Sequence, residues 1–342
     1  MGVYNGESMK YDLISIGDVV SDAFIRIKDA SVNCDINHAH CTLSMRFGDK
    51  IPYEFVEVVK AVGNSANAAV STSRLGLKSA FISNVGSDQN GKDCIEELKR
   101  NNVGVEFIKT HQGEETNYHY VLWFEDERTI LVKHHQYPYE FPSFEAPSWI
   151  YLSSLAENSI PYQHTVANFV RAHPETKLAF QPGTFQIRTG YEALKDIYAL
   201  SEVFFCNVEE AKRILSLKGE IEIIPLLMKM RGLGPKIVVI TDGPKGAYAY
   251  DGKDAWFMPP YPDPKPPYER TGAGDAFAST FTAALIQGKS IDEALRWAPI
   301  NSMSVVQYVG AQKGLLSREA LETYLSRAPS DYFPRKLSST LP

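Results

Sequence analysis

The fold and chemistry of this 342-residue chain are inferred first from Thr271-Gly272-Ala273-Gly274-Asp275-Ala276-Phe277. Two glycines flank an alanine, an acid follows, and a helix-forming run begins at once. The first N–H groups of a helix lack intrahelical partners and lie at the positive end of the helix dipole, so this segment favours an anion such as phosphate. An acid there suits a base that deprotonates a hydroxyl attacking phosphorus. The alternative is an Asp that stabilises the first turn of the helix.

Composition excludes several classes of protein. Hydrophobic residues make up 44% of the chain, charged residues 22%, and the net charge is −6. These values are ordinary for a globular protein and give no support for nucleic-acid binding. Apolar runs fall short of the roughly 20 residues that a membrane span needs, and the first ten residues are polar. We therefore expect a cytoplasmic protein whose partners include neither nucleic acid nor a membrane.

The cysteines suggest reduced thiols rather than a disulfide framework, because four of them are scattered through a long chain. They are Cys34, Cys41, Cys94 and Cys206. His38 and His40 lie between the first two, so that two thiols and two imidazoles fall within eight residues. This group is either a zinc site or a loop with incidental histidines, and its compact spacing matches no known structural-zinc pattern.

The pattern from residue 149 onward alternates short apolar strands with helices. The strands are expected at Trp149–Leu152, Lys177–Phe180, Val203–Cys206 and Lys236–Ile240. This rhythm predicts a three-layer α/β/α domain with a mostly parallel central sheet. Two earlier segments, at about 22–62 and 114–135, alternate apolar and polar residues and predict a small, mostly antiparallel β-sheet that covers a site. We expect one domain over 1–342, with loosely ordered tails at 1–10 and 328–342.

Further candidate site residues follow predicted strands, where ligands bind in open α/β sheets. Each of these segments is also open to interpretation as an ordinary turn or helix cap. The segments are Gly17-Asp18-Val19-Val20-Ser21-Asp22, Val62-Gly63-Asn64-Ser65-Ala66-Asn67, Asn207-Val208-Glu209-Glu210 and Thr241-Asp242-Gly243-Pro244-Lys245-Gly246.

As an ordered set, these segments resemble the ribokinase-like (PfkB) carbohydrate kinases, over about residues 12–316. The segment that begins at Thr271 is similar to the C-terminal motif of that family. The resemblance is carried further by Gly63 to Ala69 with Arg74-Leu75-Gly76, by Val85 to Gly91, and by the pair Asn207 and Glu210. It implies an ATP-dependent kinase in which Asp275 is the general base, and the backbone N–H groups of Gly272, Ala273, Gly274 and Asp275 form an anion hole.

The resemblance also implies the binding sites. Asn207 and Glu210 would lie near the ATP phosphates and hold magnesium through water, and Thr241, Gly243 and Gly246 would line the nucleotide site. Asp18, Asp22, Gly63, Asn64 and Asn67 would bind the hydroxyl groups of the phosphate acceptor. The small sheet would be the β-lid of the family, which in some members pairs two subunits, so a homodimer through the lid is expected.

Two departures from the family pattern affect these expectations. Val62-Gly63 stands where two glycines are usual, on the acceptor side. Glu269-Arg270 stands where an Asp-Thr or Asp-Pro pair is usual. Because that Asp lies near the ion in members activated by a monovalent cation, Glu269 is the candidate ligand for potassium. Arg270 is either a phosphate contact or a solvated surface residue.

The acceptor is expected to be a sugar phosphorylated at a hydroxymethyl group, as in ribokinase and fructokinase. A nucleoside, as in adenosine kinases, is the alternative, because the aromatic segment Tyr118 to Phe124 could stack on a base or pack in the lid. A sugar-phosphate kinase and a non-catalytic sugar- or nucleotide-binding regulator are less favoured. A regulator is expected to have lost the base or the anion hole, and this chain retains both.

Overall fold

The computed structural model describes residues 10–34, 41–125 and 127–337. The strands are β1 (Leu13–Ile16), β2 (Val20–Ile27), β3 (Ser31–Cys34), β4 (Cys41–Ser44), β5 (Tyr53–Val62), β6 (Ser79–Gly86), β7 (Ile108–His111), β8 (Tyr118–Phe124), β9 (Glu127–Leu131), β10 (Trp149–Leu152), β11 (Lys177–Phe180), β12 (Ser201–Asn207), β13 (Ile237–Thr241), β14 (Ala247–Tyr250), β15 (Ala255–Met258) and β16 (Arg335–Leu337). The α-helices are α1 (Asn64–Arg74), α2 (Gln89–Arg100), α3 (Ile160–Ala172), α4 (Thr184–Thr189), α5 (Tyr191–Leu200), α6 (Val208–Ile214), α7 (Ile223–Arg231), α8 (Ala273–Ile286), α9 (Ile291–Val305) and α10 (Arg318–Ser326).

The central sheet has ten strands in the order β16-β15-β14-β13-β12-β11-β10-β1-β6-β7. The seven strands from β13 to β7 pair in parallel, and the three at the other edge are antiparallel. The predicted α/β fold with a mostly parallel sheet and a separate small sheet is confirmed. The strands β14 to β16 were not predicted.

Helices cover both faces of the central sheet because successive strand residues point in opposite directions. Leu13 of β1 packs into an apolar core with α8, α9 and α10. The next residue, Ile14, packs into a second core with α3, α5 and α7. Both residues are fully buried. The sheet is therefore the middle of three layers, as the alternation of strands and helices predicts.

The second sheet has the order β5-β2-β8-β9 and is called the lid sheet below. Cross-strand partners share a face, so register decides which side chains lie over the central sheet. Asp22 pairs with His119, and Trp123 pairs with Arg128. These residues lie on the inner face with the buried side chain of Phe24. The lid sheet therefore carries polar and charged groups towards the edge of the central sheet.

The cysteines of the hairpin β3–β4 correct one expectation. Cys34 lies opposite Cys41 in the antiparallel register, and the two form a disulfide. The expectation of four reduced thiols is therefore wrong for this pair, whereas Cys94 and Cys206 are free and buried. The disulfide also withdraws both thiols from the proposed zinc group. His38 and His40 of that group lie outside the described residues.

Part of the C-terminal segment expected as a tail makes defined contacts, while residues 1–9 and 338–342 of the two expected tails lie outside the described residues. Tyr332 is buried, its hydroxyl donates to the carbonyl of Arg296 at 2.7 Å, and its ring packs edge-on against Tyr261. The strand β16 then extends the central sheet. In the described ranges, none of the helices has the length and apolar character needed to cross a membrane.

Candidate active site

The carboxyl ends of the parallel strands bring the candidate residues to one edge of the central sheet. Asp18 follows β1, Gln181 follows β11, Asn207 ends β12 and Thr241 ends β13. The start of α8, with Asp275 in its first turn, lies at the same edge. Parallel strands expose all their carboxyl ends on one side, which explains why residues far apart in sequence converge there.

The carboxylate of Asp275 is held by two carboxamides. Asn67 Nδ2 donates to Oδ2 at 2.8 Å, and Gln181 Nε2 donates to Oδ1 at 2.9 Å. Each amide is itself positioned, because Gln312 Nε2 donates to the oxygen of Asn67 at 3.0 Å and the Tyr151 hydroxyl donates to the oxygen of Gln181. The network fixes both oxygens of the acid.

Burial of the carboxylate raises the pKa of Asp275 above its ordinary value. The amides of Asn67 and Gln181 oppose the rise because they donate to the charged form, and the positive charge of Arg128 opposes it further. A partly buried carboxylate with a raised pKa and a fixed orientation has the properties of a general base.

The backbone before Asp275 has a conformation that favours glycine. Gly272 has a φ of 82°, and a Cβ there would lie 2.3 Å from Cβ of Ala311. Ala273 N donates to the carbonyl of Arg270 at a long 3.4 Å, and Ala276 N makes the first helical bond to the carbonyl of Gly272. The first N–H groups of a helix lack intrahelical carbonyl partners, so those of Gly274 and Asp275 are candidates for binding an anion.

A polar cavity of about 270 Å³ opens beside Asp275. Asn64, Arg128, Asn207, Glu210 and Arg270 all contribute to its lining. Asn207 and Glu210 also form the capping box of α6: Asn207 N donates to Glu210 Oε2 at 2.9 Å, and Glu210 N donates to Asn207 Oδ1 at 2.8 Å. The two residues are thus helix caps as well as cavity residues.

The position of Glu210 favours a cation in this cavity. Burial raises the pKa of Glu210, and the negative charge of Asp275 raises it further. The described ranges contain no group of three or more His, Cys, Asp or Glu side chains arranged around a metal. One carboxylate and an amide nevertheless fit magnesium, which keeps most of its water and binds through one or two carboxylates and substrate phosphates.

A second cavity of about 560 Å³ adjoins the first along Thr241, Arg270, Gly274 and Phe277. Its lining is rich in proline and other apolar side chains, which suits the flat apolar ring of a ligand. Thr241, Gly243 and Gly246, which are predicted to contact the nucleotide, line this cavity. Residues Pro260, Tyr261, Pro262 and Pro267, from a segment rich in proline at 259–267, also line it.

The predicted acceptor residues fall into two groups. Asn64 and Asn67 lie at Asp275. Asp18 and Asp22 lie under the lid sheet, beyond the residues that line the two cavities. Gly63 joins the groups: its φ is 112°, and a Cβ there would lie 2.7 Å from the carbonyl of Asp18. The acceptor site would therefore extend from Asp275 towards the lid sheet.

The surroundings of Glu269 do not fit a potassium ligand. Its buried carboxylate accepts from Thr271 N at 2.8 Å and Thr271 Oγ1 at 2.6 Å, and Arg128 Nε of the lid sheet lies 3.6 Å away. Glu269 thus already has a cationic partner and two close donors, which leaves little reason for it to bind a further cation.

Several residues at this edge were not singled out from the sequence. Gln181 could have been identified as a candidate from the sequence, because it directly follows a predicted strand. No sequence pattern identifies Arg128, His119 or His134 as site residues, because strand register and the path of the chain bring them over the site. The aromatic segment of β8 is mostly structural: Trp123 is buried against Phe55 and Tyr268.

The family model described as "pfkB family carbohydrate kinase" matches residues 34–318. The chain belongs to the pfkB family of carbohydrate kinases. It is therefore a phosphotransferase.

Three relatives illustrate the range of named activities in the family. The chain is similar to an ATP-dependent 6-phosphofructokinase of Thermoanaerobacterium thermosaccharolyticum, at 23% identity over 89% of this chain and 91% of the relative. It is similar to the ribokinase of Bacillus subtilis, at 27% identity over 77% and 87% of the two chains. It is also similar to a nucleoside kinase of Methanothermobacter thermautotrophicus, at 26% identity over 74% and 80%.

Among solved structures, the Arabidopsis thaliana ribokinase, complexed with ribose and ATP, has the same fold. Its TM-score is 0.77 at 20% sequence identity, and the match covers 93% of this chain and 99% of that one. This likeness supports the three-layer architecture of the pfkB-family chain described above.

The hydrogen bond from Gln181 to Asp275 predicts a change in pH dependence. In a Gln181→Leu variant, the carboxylate loses a donor to its charged form, so the pKa of Asp275 rises further. The acid limb of kcat/KM for phosphoryl transfer should therefore move to higher pH, as measured in a pH–rate profile. Gln112→Leu, in an exposed turn, is the control and should keep the parent profile. An unshifted limb in Gln181→Leu would show that Asp275 does not set it.

Proposed function

We propose that this protein transfers the γ-phosphoryl group of ATP to a hydroxymethyl group of a sugar, with Asp275 as the general base. The observation that carries the proposal is the partly buried carboxylate of Asp275, fixed by Asn67 and Gln181 in the first turn of α8. Phosphoryl transfer depends on such positioning and charge stabilisation rather than on covalent catalysis.

In this mechanism, Asp275 accepts the proton of the acceptor hydroxyl as its oxygen forms a bond to the γ-phosphorus. The bond from that phosphorus to the bridging oxygen breaks, and ADP leaves with the bond electrons. The N–H groups of Gly272, Ala273, Gly274 and Asp275 stabilise the charge on the transferring group. Arg128 and Arg270 line the same cavity and add positive charge.

Glu210 and Asn207 would hold magnesium through water, and the ion would supply charge neutralisation for the ATP phosphates. The support is their place in the polar cavity with Asp275. Thr241, Gly243 and Gly246 would contact the nucleotide in the larger cavity. Among the relatives, the Arabidopsis ribokinase was solved with ATP, which agrees with ATP as the donor.

A nucleoside is the second candidate acceptor, because a nucleoside kinase is among the relatives. The aromatic segment of β8 gives a nucleoside acceptor little support. The ring of Trp123 is buried and already contacts the rings of Phe55 and Tyr268 and the guanidinium of Arg26. Tyr118 and Tyr120 are more accessible, and their rings lie 5.3 Å apart. A sugar therefore remains the favoured acceptor.

Replacement of the base tests the mechanism. Asp275→Asn should lower kcat by about 10²- to 10⁴-fold, the usual contribution of a general base, and should leave ATP affinity largely unchanged. The measurement is ADP release with magnesium-ATP and a panel of pentoses, hexoses, sugar phosphates and nucleosides.

The matched control is Asp292→Asn, which makes the same change in the first turn of α9, away from the cavities. It should keep the parent rate. If Asp275→Asn turned over as fast as the parent protein, Asp275 would not be the base.

The magnesium proposal is tested at Glu210. Glu210→Gln keeps an oxygen that can accept the capping hydrogen bond but removes the charge, so the magnesium concentration needed for half-maximal rate should rise severalfold. Glu209→Gln, its exposed neighbour in the same turn, is the control and should not change it. Equal magnesium dependence in Glu210→Gln and the parent protein would contradict the role.

The outer face of the lid sheet supports a homodimer. Val56 and Val58 of β5 are each 45% exposed, and Tyr120 of β8 and Leu131 of β9 are about half exposed. Val58 and Tyr120 both pair with Ala23, and Leu131 pairs with Tyr120, so these side chains form one apolar row. Exposed apolar patches of this kind mark interfaces, and a second copy of the chain is the proposed partner.

Charge placed in this row should separate the subunits. Val58→Lys is expected to change the sedimentation mass from two chains to one at micromolar concentration, because burying an unpaired lysine is costly. Met228→Lys, an exposed apolar residue on α7, should leave the dimer intact. A parent protein that sediments as a monomer would overturn the proposal.

A further inference from the structure

Two carboxylates and two imidazoles form a cluster under the lid sheet, called the His–Asp cluster below. His119 Nδ1 lies 3.3 Å from Asp22 Oδ1, and His134 Nδ1 lies 3.7 Å from Asp18 Oδ2. The two imidazole rings are 5.1 Å apart. Asp22 and Asp18 are 8% and 5% exposed. The four side chains are therefore continuous with one another and largely shielded from solvent.

The cluster contains polar atoms that no protein group satisfies. Over residues 10–34, 41–125 and 127–337, eight buried side-chain nitrogen and oxygen atoms lack a hydrogen-bond partner. Three of the eight belong to the cluster: Asp22 Oδ1, His119 Nε2 and His134 Nδ1. Buried polar atoms in proteins are almost always paired, so three unpaired atoms side by side indicate a bound polar molecule.

The unpaired atoms of Asp22 and His119 favour a ligand with hydroxyl groups. Asp22 can only accept hydrogen bonds when ionised. A carboxylate next to Nδ1 of His119 favours the tautomer with its proton on that nitrogen, which leaves Nε2 as an acceptor. Both atoms therefore suit O–H donors, and they belong to side chains that meet 3.3 Å apart through His119 Nδ1 and Asp22 Oδ1.

Asp18 has a different part in the cluster. Its oxygens accept from the Tyr139 hydroxyl at 2.8 and 2.9 Å, and Oδ2 also accepts from Ala156 N at 2.9 Å. With these donors in place, Asp18 does not offer a free carboxylate, and His134 Nδ1, 3.7 Å from Asp18 Oδ2, stays unpaired. The ring of His134 packs edge-on against Phe185, which fixes its other side.

The charge of the cluster disfavours a phosphate group. In the part of the chain that the structure describes, the ion-pair partners of Asp18 and Asp22 are histidines rather than Lys or Arg. Where those imidazoles are neutral, the two carboxylates leave the cluster negative. A phosphate placed against these two carboxylates would be repelled, and neither of them has a Lys or Arg ion-pair partner in the described residues to offset the repulsion.

We propose that His119 and His134, with Asp22, bind the hydroxyl groups of an unphosphorylated polyhydroxy acceptor, and that the His–Asp cluster excludes phosphorylated ones. This inference rests on the proposed kinase function and narrows it. Gly63 connects the cluster to Asp275, since a Cβ at Gly63 would lie 2.7 Å from the carbonyl of Asp18, and Gly63 also caps the helix that carries Asn67. The acceptor would thus be held at one end by the cluster and presented to Asp275 at the other.

The test is calorimetric binding without ATP, so that it does not depend on turnover. The panel contains ribose, fructose, cyclic polyols and nucleosides, together with ribose 5-phosphate and fructose 6-phosphate. At least one unphosphorylated compound should bind more tightly than ribose 5-phosphate and fructose 6-phosphate. His119→Asn should weaken that binding about tenfold, which equals the loss of one hydrogen bond of about 1.4 kcal/mol. Asn keeps a group near the Nδ1 position for Asp22 but lacks the Nε2 acceptor.

His164→Asn makes the same change on the exposed face of α3 and should leave binding unaltered. ATP affinity should be the same in all three proteins. The proposal is wrong if only the phosphates bind, if nothing unphosphorylated binds, or if His119→Asn binds sugar as the parent does. An equal loss of ATP affinity in His119→Asn would show a structural role instead. Absence of ADP release despite sugar binding would count against the kinase proposal alone.

Discussion

The carboxylate of Asp275 is held by hydrogen bonds in the first turn of α8, and the rest of the site is arranged around it. Asn67 comes from α1 and Gln181 from the end of β11, so the two donors tie a helix from the first part of the chain to the middle of the sheet. Gln312 and Tyr151 support those donors from two further segments. A charged group in such a setting is stable only when its hydrogen bonds are satisfied, which links the fold directly to the chemistry.

The lid sheet divides its two faces between different tasks. Its inner face presents Asp22, His119 and Arg128 to the site, and its outer face presents an apolar row. A slip of one residue in strand pairing would exchange the faces and place apolar groups over the site. Arg128 also joins the lid sheet to Glu269, beside the loop that leads into α8. The lid sheet and that loop are therefore coupled by charge.

Much of this architecture could be predicted from the sequence. The glycines and acid at residues 271–275, the strand-end segments and their order indicate the family and the edge at which the site forms. The strands at 149–152 and 177–180 have the expected bounds because apolar runs between turn residues leave little freedom. The antiparallel strands at the sheet edge and the packed C-terminus were missed, because their short patterns acquire meaning only when a neighbouring strand is in place. The disulfide was missed because the register of a hairpin cannot be read from cysteine spacing.

The sequence by itself determined the family, the mostly parallel sheet and the acid at the helix start, because these depend on local composition and on the order of motifs. Only the tertiary structure decided that Gln181 is a partner of Asp275, that Arg128 faces Glu269, and that two histidines lie against Asp18 and Asp22. Each of these contacts joins residues that are distant in the chain. Their geometry follows from strand order and register, which are set by packing of the whole domain rather than by any local segment.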